Sequence, residues 1–592
     1  GTKNYDKAIT EVEAAIELAP DNDTYKFTLA GLYRETGRAD ETNALMRDLV
    51  AADPQNENLR LQIVGFYLAA RDFGQAETVL QEGLIALPAS IRLRVRLGEL
   101  YATVNRSDDA IGILTEAIGQ RDDPADSDIL KARNALARVH LKRNEIEAAE
   151  ERVDEVLKEN PKDLDALMTR GQLRLMAGDG LSAIAAFRTV VAEKPEYIPG
   201  YTWLSQAHLV NREPALALDT LRNALKAHPQ SKEIRYALVR LHAGRQEFDQ
   251  AEEQLRRILA QNPDDQRVRA DLGDLLMAAG RMEAAEKEYG TIEAQAPGIS
   301  SGYIKLARLY MRTNKADQAL KVLETGFERN PESIPLFTSL VQLQISRGNH
   351  DRAAALCQAT VKRYPENPIP LNTLGNVLAA RKDYRPAEQA FKKAIALQPL
   401  WQPPHNGLAR LYLVQGKTEA AIEGLEKAIR ENPNNPAGFM TLGNLYEQQQ
   451  DRAQARDVYE RALAAIPTLW PAANNLAFLI CETEDAREEL PRAALLAMQA
   501  LQQQPDNPVV LDTVGWVHYR QGNLPQAFTY IEKAVEKNGE SPILNYHLAT
   551  VLYENGRTSE ARQRLEKALA DDKDFHGRAA AEALMGKLRG QG

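Results

Sequence analysis

The residues in this chain that could do covalent or metal chemistry are few and badly placed for it. Gly298-Ile-Ser300-Ser-Gly302 has the letters of a nucleophile elbow, but that motif needs a sharp strand-to-helix turn to present its serine. Here the stretch follows Pro297 with no strand pattern ahead of it, so it is read as a coincidence. Of the nine histidines, His140, His208, His242 and His518 fall at one recurring position that an aromatic holds elsewhere, and they are expected to be packing substitutes. The sequence has no His-Glu-x-x-His, no cysteine cluster and no glycine-rich phosphate loop, so neither a metal site nor a cofactor is expected. Carboxylates are plentiful but scattered over solvent-facing helical positions, and no catalytic pair stands out. The chain is therefore expected not to be an enzyme.

The pattern that positions everything else is a period of 34 residues, clearest in 436–469. There Leu442, Gly443 and Tyr446 sit at helical spacing, Gln450-Asp451 makes a polar turn, and Ala455, Tyr459 and Ala462 mark a second helix that Pro467 ends. Gly443 and Ala455 are expected to be small because the two helices cross closely between them. The small-residue signature recurs as Gly375, Ala387, Ala394 and Pro399, as Ala409, Ala421, Ala428 and Pro433, and as Ala307, Ala319, Gly326 and Pro331. Thr42, Leu49, Val239 and Val341 depart from it, and slight tilts are expected there. Cys357 and Cys481 are about four repeats apart, too far to meet in a linear array, so both are expected to be free thiols.

A 34-residue unit with Leu-Gly, Tyr, Ala, Ala and Pro at these offsets resembles the tetratricopeptide repeat, and the resemblance runs from end to end. It implies an all-α, right-handed superhelical solenoid whose concave face is lined by the first helix of each hairpin. In that frame residues 1–22 are a half repeat holding only a second helix, 23–575 hold sixteen units in one continuous superhelix, and 576–592 are a capping helix and tail. Ala581, Leu584 and Leu588 are expected to cover the last hairpin. A chain that opens on half a hairpin is expected to be a fragment, with any targeting or lipidation signal upstream. Acidic insertions of about five and four residues, near 120–129 and 482–491, read as longer turns or as contact loops.

Three sets of residues fall on the expected concave face. Asn372, Asn376, Asn406, Asn444, Asn474 and Asn475 form an amide ladder that could pair with the N–H and C=O of an extended peptide, similar to the asparagine ladder of O-GlcNAc transferase. Arg92, Arg96, Arg138 and Lys142 resemble the basic half of the carboxylate clamp of chaperone-binding repeats. Gln62 and Gly31 stand where that clamp carries asparagine, so a general anionic contact is expected instead. Lys305, Arg308, Arg312 and Arg410 continue the basic character. Trp203, Trp516, Tyr519, Tyr546 and Tyr553 are either interface anchors or, near the C-terminus, packing beneath the capping helix. Trp401 and Trp470, in Pro-rich junctions, are expected to wedge adjacent hairpins.

The expected function is a non-enzymatic scaffold that binds one or more proteins or extended peptides, with self-association possible through the open N-terminal hairpin. A net charge of −10 over 592 residues argues against nucleic acid, and no run of 18 apolar residues offers a membrane span. Leu511-Asp-Thr-Val-Gly-Trp516, Ala549 and Lys567-Ala-Leu569 resemble long bacterial envelope proteins of this repeat class, some of them lipoproteins of exopolysaccharide export or protein sorting. That resemblance implies a periplasmic or outer-membrane-associated location over a cytoplasmic one. The alternative is the substrate-recognition arm of a larger enzyme such as a glycosyltransferase.

Overall fold

The computed structural model describes residues 4–483, 486–571 and 574–590. Residues 1–3 of the half repeat, Glu484 and Asp485 of the second insertion, and 572–573 and 591–592 of the C-terminal segment lie outside the described residues. Among the described residues there are 34 α-helices, one short 3-10 turn at Ala486–Glu488 and no strand. The chain forms two compact units, Gly1–Ile292 and Glu293–Gly592.

In each unit the same local chemistry starts and stops the helices. Asn22, Asn56, Ser90, Asp163, Ser231 and Asn435 stand just before first helices, and each side chain accepts a backbone N–H of the first turn. Most first helices are followed by a left-handed residue: Gln450 has φ of 61°, its N–H reaches the Glu447 carbonyl, and the Asp451 N–H reaches that of Tyr446. The same turn uses glycine at Gly280, Gly348 and Gly416, where the left-handed conformation carries no Cβ penalty.

The close approach expected between Gly443 and Ala455 is seen at the equivalent Gly515, whose Cβ would lie 3.1 Å from the Ala527 carbonyl oxygen, and at Ser205, whose hydroxyl donates to the Ala217 carbonyl; a second contact accompanies it. A Cβ on Gly443 would collide with the ring of Tyr459, sixteen residues on in the facing helix. The same slot recurs for Gly171 with Phe187, Gly273 with Tyr289, Gly375 with Phe391, Gly98 with Leu114 and Gly515 with Ile531. Where the first member is alanine the second is smaller than a ring, as in Ala307 with Leu323 and Ala409 with Leu425, all buried. Val341 and the small Cys357, also sixteen apart, are buried in one cluster.

The insertion near 120–129 folds on itself. Asp126 pairs with Arg121 and caps the helix Ser127–Lys142, and Arg133 bonds the Pro124 carbonyl. The second insertion begins at Glu482, which turns inward to accept from Trp516 Nε1 at 3.1 Å and to bond His576 Nε2 at 2.9 Å. The C-terminal helix runs Arg578–Gly590 and buries Ala581, Met585 and Leu588, with Leu584 half-buried beside them. No helix among the described residues is long and apolar enough to cross a membrane.

Candidate functional site

The expected basic patch in the first unit is held by internal ion pairs and, at Lys142, by neutral acceptors. Arg92 bonds Glu57 at 2.8 Å and Asn58 at 2.9 Å. Glu99 lies between Arg96, at 3.0 Å, and Arg138, at 3.1 Å, and Lys142 is held by the Ala102 carbonyl and Asn105. Arg96, Arg138 and Lys142 do share one cleft, in which Glu99 is the one carboxylate on the lining, so their N–H groups are engaged while positive charge remains. In the second unit Lys305 is half-buried, while Arg308, Arg312 and Arg410 are exposed with no ion-pair partner among the described residues. Sequence reading missed a comparable place in the first unit, where Arg240 and Arg267 flank Tyr236 in a cleft of about 480 Å³. Arg240 stands two repeats before Arg308, and that register was the available signal.

The amides divide by register. Asn372, Asn406 and Asn474 occupy the fifth position of their first helices, and each has a buried Oδ1 without a donor. Asn134, which sequence reading missed, shows the same orphaned Oδ1 in the first unit although its Nδ2 donates to Asp163 at 2.9 Å. Met440 holds this position between Asn406 and Asn474 and interrupts the row. Asn376 and Asn444 lie one turn further and are exposed. The structure brings Asn444, Asn475 and Tyr459 together: the phenol lies 2.9 Å from Asn444 Oδ1 and 2.6 Å from Glu447, and Asn475 Nδ2 donates to the phenol oxygen at 3.1 Å. Burial, with help from Glu447, raises the Tyr459 pKa and keeps it a donor. Asn474 is 3% exposed and donates to Asn475 Oδ1 at 3.3 Å.

The aromatics are mostly covered. Trp203 is half-buried and stacks on Phe187. Trp516 is buried, stacked on Tyr519 and on His547, whose centroid is 3.9 Å away. Tyr546 packs against Trp516, Phe575 and Gly577, and Tyr553 is half-buried against the same core. Packing beneath the C-terminal segment therefore describes Trp516 and Tyr546 in this structure. Below the tryptophan, buried His547 bonds buried Asp512 at 2.8 Å. Burial pushes the Glu482 carboxyl up, but the hydrogen bonds from His576 and Trp516 overcome it and leave it below the usual carboxylate range. The bond to Glu482 in turn raises His576, against burial.

Beside this cluster is a cavity of about 170 Å³, lined by Asn474, Phe478, Val509, Asp512 and Ile543 among others. Pockets for whole small molecules run to roughly 300–1,000 Å³, so this one is the size of a side chain.

The histidines do more than fill space. Nδ1 of His140, His208 and His242 bonds the glutamate five residues on, Glu145, Glu213 and Glu247, across the hairpin turn at 2.6–2.8 Å. These bonds hold the three carboxyls below their ordinary range. His518 has no such glutamate and stacks on Tyr530. Cys357 and Cys481 are free and buried, and burial pushes both thiols up to about 12, which makes them poor nucleophiles. Among the described residues no cluster of three metal-ligating side chains occurs.

Two family models, both described as tetratricopeptide repeat, match this chain. One matches residues 35–93, 211–270, 253–305 and 518–588, the other 2–57, 134–198, 304–368, 338–400 and 406–469, together well over half of the sequence. Neither matches 94–133 or 470–517, the stretches that hold the two insertions. A curated relative, the TPR repeat-containing protein PA4667 of Pseudomonas aeruginosa, is 29% identical over 112 residues, which span 19% of this chain and 18% of that protein. Among solved structures, a Naa15/Naa10 complex bound to HypK-THB aligns over 99% of this chain and 97% of that one, at 14% identity and a TM-score of 0.43. A tetratricopeptide repeat protein from Parabacteroides merdae aligns over 43% of this chain and 97% of its own, at 17% identity and a TM-score of 0.31. At these scores neither similarity bears on function.

Proposed function

Because this chain belongs to the tetratricopeptide repeat family, we propose that it is a non-enzymatic scaffold that binds extended segments of other proteins along its first-helix face. The observation that carries this reading is the row of orphaned acceptors. Buried polar atoms are nearly always satisfied, because an unmade hydrogen bond costs about 1–3 kcal/mol. Asn134, Asn372, Asn406 and Asn474 leave the same atom unsatisfied at the same register of four first helices. A strand of peptide supplies N–H donors at regular intervals, whichever side chains it carries.

The reading extends to a bacterial envelope assembly of the export or sorting kind. Its support is the resemblance of 511–516 to such proteins; the short Pseudomonas match bears on the bacterial part alone. The test is capture from envelope and soluble fractions of a bacterial source by the native chain and by the Asn372→Ala, Asn406→Ala, Asn474→Ala triple variant. A protein retained by the first and lost by the second supports the reading. Equal retention by both removes the row as the binding surface.

A further inference from the structure

The cavity beside Asn474 has features that select an occupant. We propose that it is a specificity pocket for one aliphatic side chain of a bound peptide, whose own backbone N–H donates to Asn474 Oδ1. This inference rests on the peptide-binding reading above and adds to it what the peptide must carry.

Three observations converge. Asn474 is 3% exposed, lines the cavity, and has no donor for its Oδ1, so the site holds a built, unmet acceptor. The walls are largely apolar, from Phe478, Ile543 and Val509, and Val509 is 57% exposed although it is aliphatic. The charged groups on the lining are Glu447 and Asp512, with no lysine or arginine among them. Both carboxylates already accept a hydrogen bond, from Tyr459 and His547 respectively.

An acidic side chain or a free C-terminal carboxylate would face two like charges without a cation to meet it. That excludes the anionic tails that basic clamps recognise. An aliphatic side chain instead buries itself against Val509 and Phe478 while its N–H completes Asn474. Glu447 and the residues from 538 to 544 come from repeats that the family models match, while Asn474, Asn475, Phe478 and 508–513 come from the stretch that neither matches.

The probe is a library of N-acetylated, C-amidated heptapeptides, random at six positions and fixed at the central one as Leu, Lys or Asp, passed over the immobilised full chain. Leu-centred members should be retained about tenfold or more over Asp-centred ones, the size expected for burying one aliphatic side chain. Val509→Trp fills the mouth from an exposed position and should abolish that preference. Asn474→Leu, which removes the acceptor without opening a cavity, should weaken retention several-fold with no fall in Tm.

Retention that ignores the central residue and survives Val509→Trp overturns the pocket while leaving peptide binding intact. Preference for Lys overturns the aliphatic assignment. No retention of any member overturns both this inference and the reading it rests on.

Discussion

Two regions look alike as binding surfaces in sequence and differ in what the fold has already done with them. In the first unit Arg96 and Arg138 converge on one cleft, but Glu99 lies within hydrogen-bond distance of both and takes up N–H groups that a ligand would use. In the second unit Asn474 has no charge at all, yet its Oδ1 is buried with nothing to receive. A charged residue on an open helix finds a partner cheaply, through long side chains and solvent. A short amide held in a packed register cannot reach one. The two regions therefore differ in what they leave unmet: spare charge in the first, an acceptor without a donor in the second.

The largest effect that separates the regions should come from removing one member of a buried pair in the second. Asp512→Ala leaves the His547 ring N–H buried without its acceptor and should cost about 1–3 kcal/mol. Amide exchange in the helix Pro542–Glu554 would report it as lost local protection. If the cost is no greater than for an exposed pair in the first unit, the contrast fails.

A smaller effect comes from pH at the same end. Glu482 titrates below its ordinary 4.5, so its share of stability is complete above that pH and is lost as pH falls through the lowered value. His576 titrates above its ordinary 6.5, so its share is complete below that pH and is lost as pH rises through the raised value. The difference in Tm between the native chain and His576→Ala should therefore be greatest between pH 4.5 and 6.5 and shrink on both sides. A difference that stays constant across pH would show that the pair is idle.

The smallest effect on stability belongs to the first unit. Glu99→Gln should cost less than about 1 kcal/mol, as exposed ion pairs do. It should also unmask Arg96 and Arg138, so that a glutamate-rich peptide binds the variant several-fold better than the native chain at low salt, and the gain should vanish at high salt. Absence of that gain would mean Glu99 is not what silences the cleft.

The fold was legible because the residues that build it recur. Asn or Ser before a first helix, a turn residue such as Gln450, and Pro after a second helix are local signals, each readable in place. The volume pairs were also in the sequence: Gly171 with Phe187 and Gly443 with Tyr459 are both sixteen apart. His140 and Glu145, His208 and Glu213, and His242 and Glu247 share one spacing and could have been read as turn locks.

The candidate site was legible only as a set of registers. Whether Arg138 is free depends on Glu99, thirty-nine residues earlier, and whether Trp516 faces out depends on His547 and on Glu482 at the start of an irregular insertion. Such distances are set by packing across hairpins, and a periodic pattern does not encode them.

The volume pairs have a consequence for how a chain of near-copies assembles. Repeat arrays are prone to pairing a helix with the wrong neighbour, because all hairpins share one backbone geometry. Here the facing residues are matched one by one: a ring with glycine at Tyr289 and Gly273, a leucine with alanine at Leu323 and Ala307, a thiol with valine at Cys357 and Val341. If the helix carrying Tyr289 docked against Ala307, its ring would meet a methyl group where it needs open space. If the helix carrying Leu323 docked against Gly273, a void would remain. Hairpins of the ring–glycine kind and hairpins of the leucine–alanine kind are thus poor substitutes for one another, which disfavours exchange of helices between the two kinds.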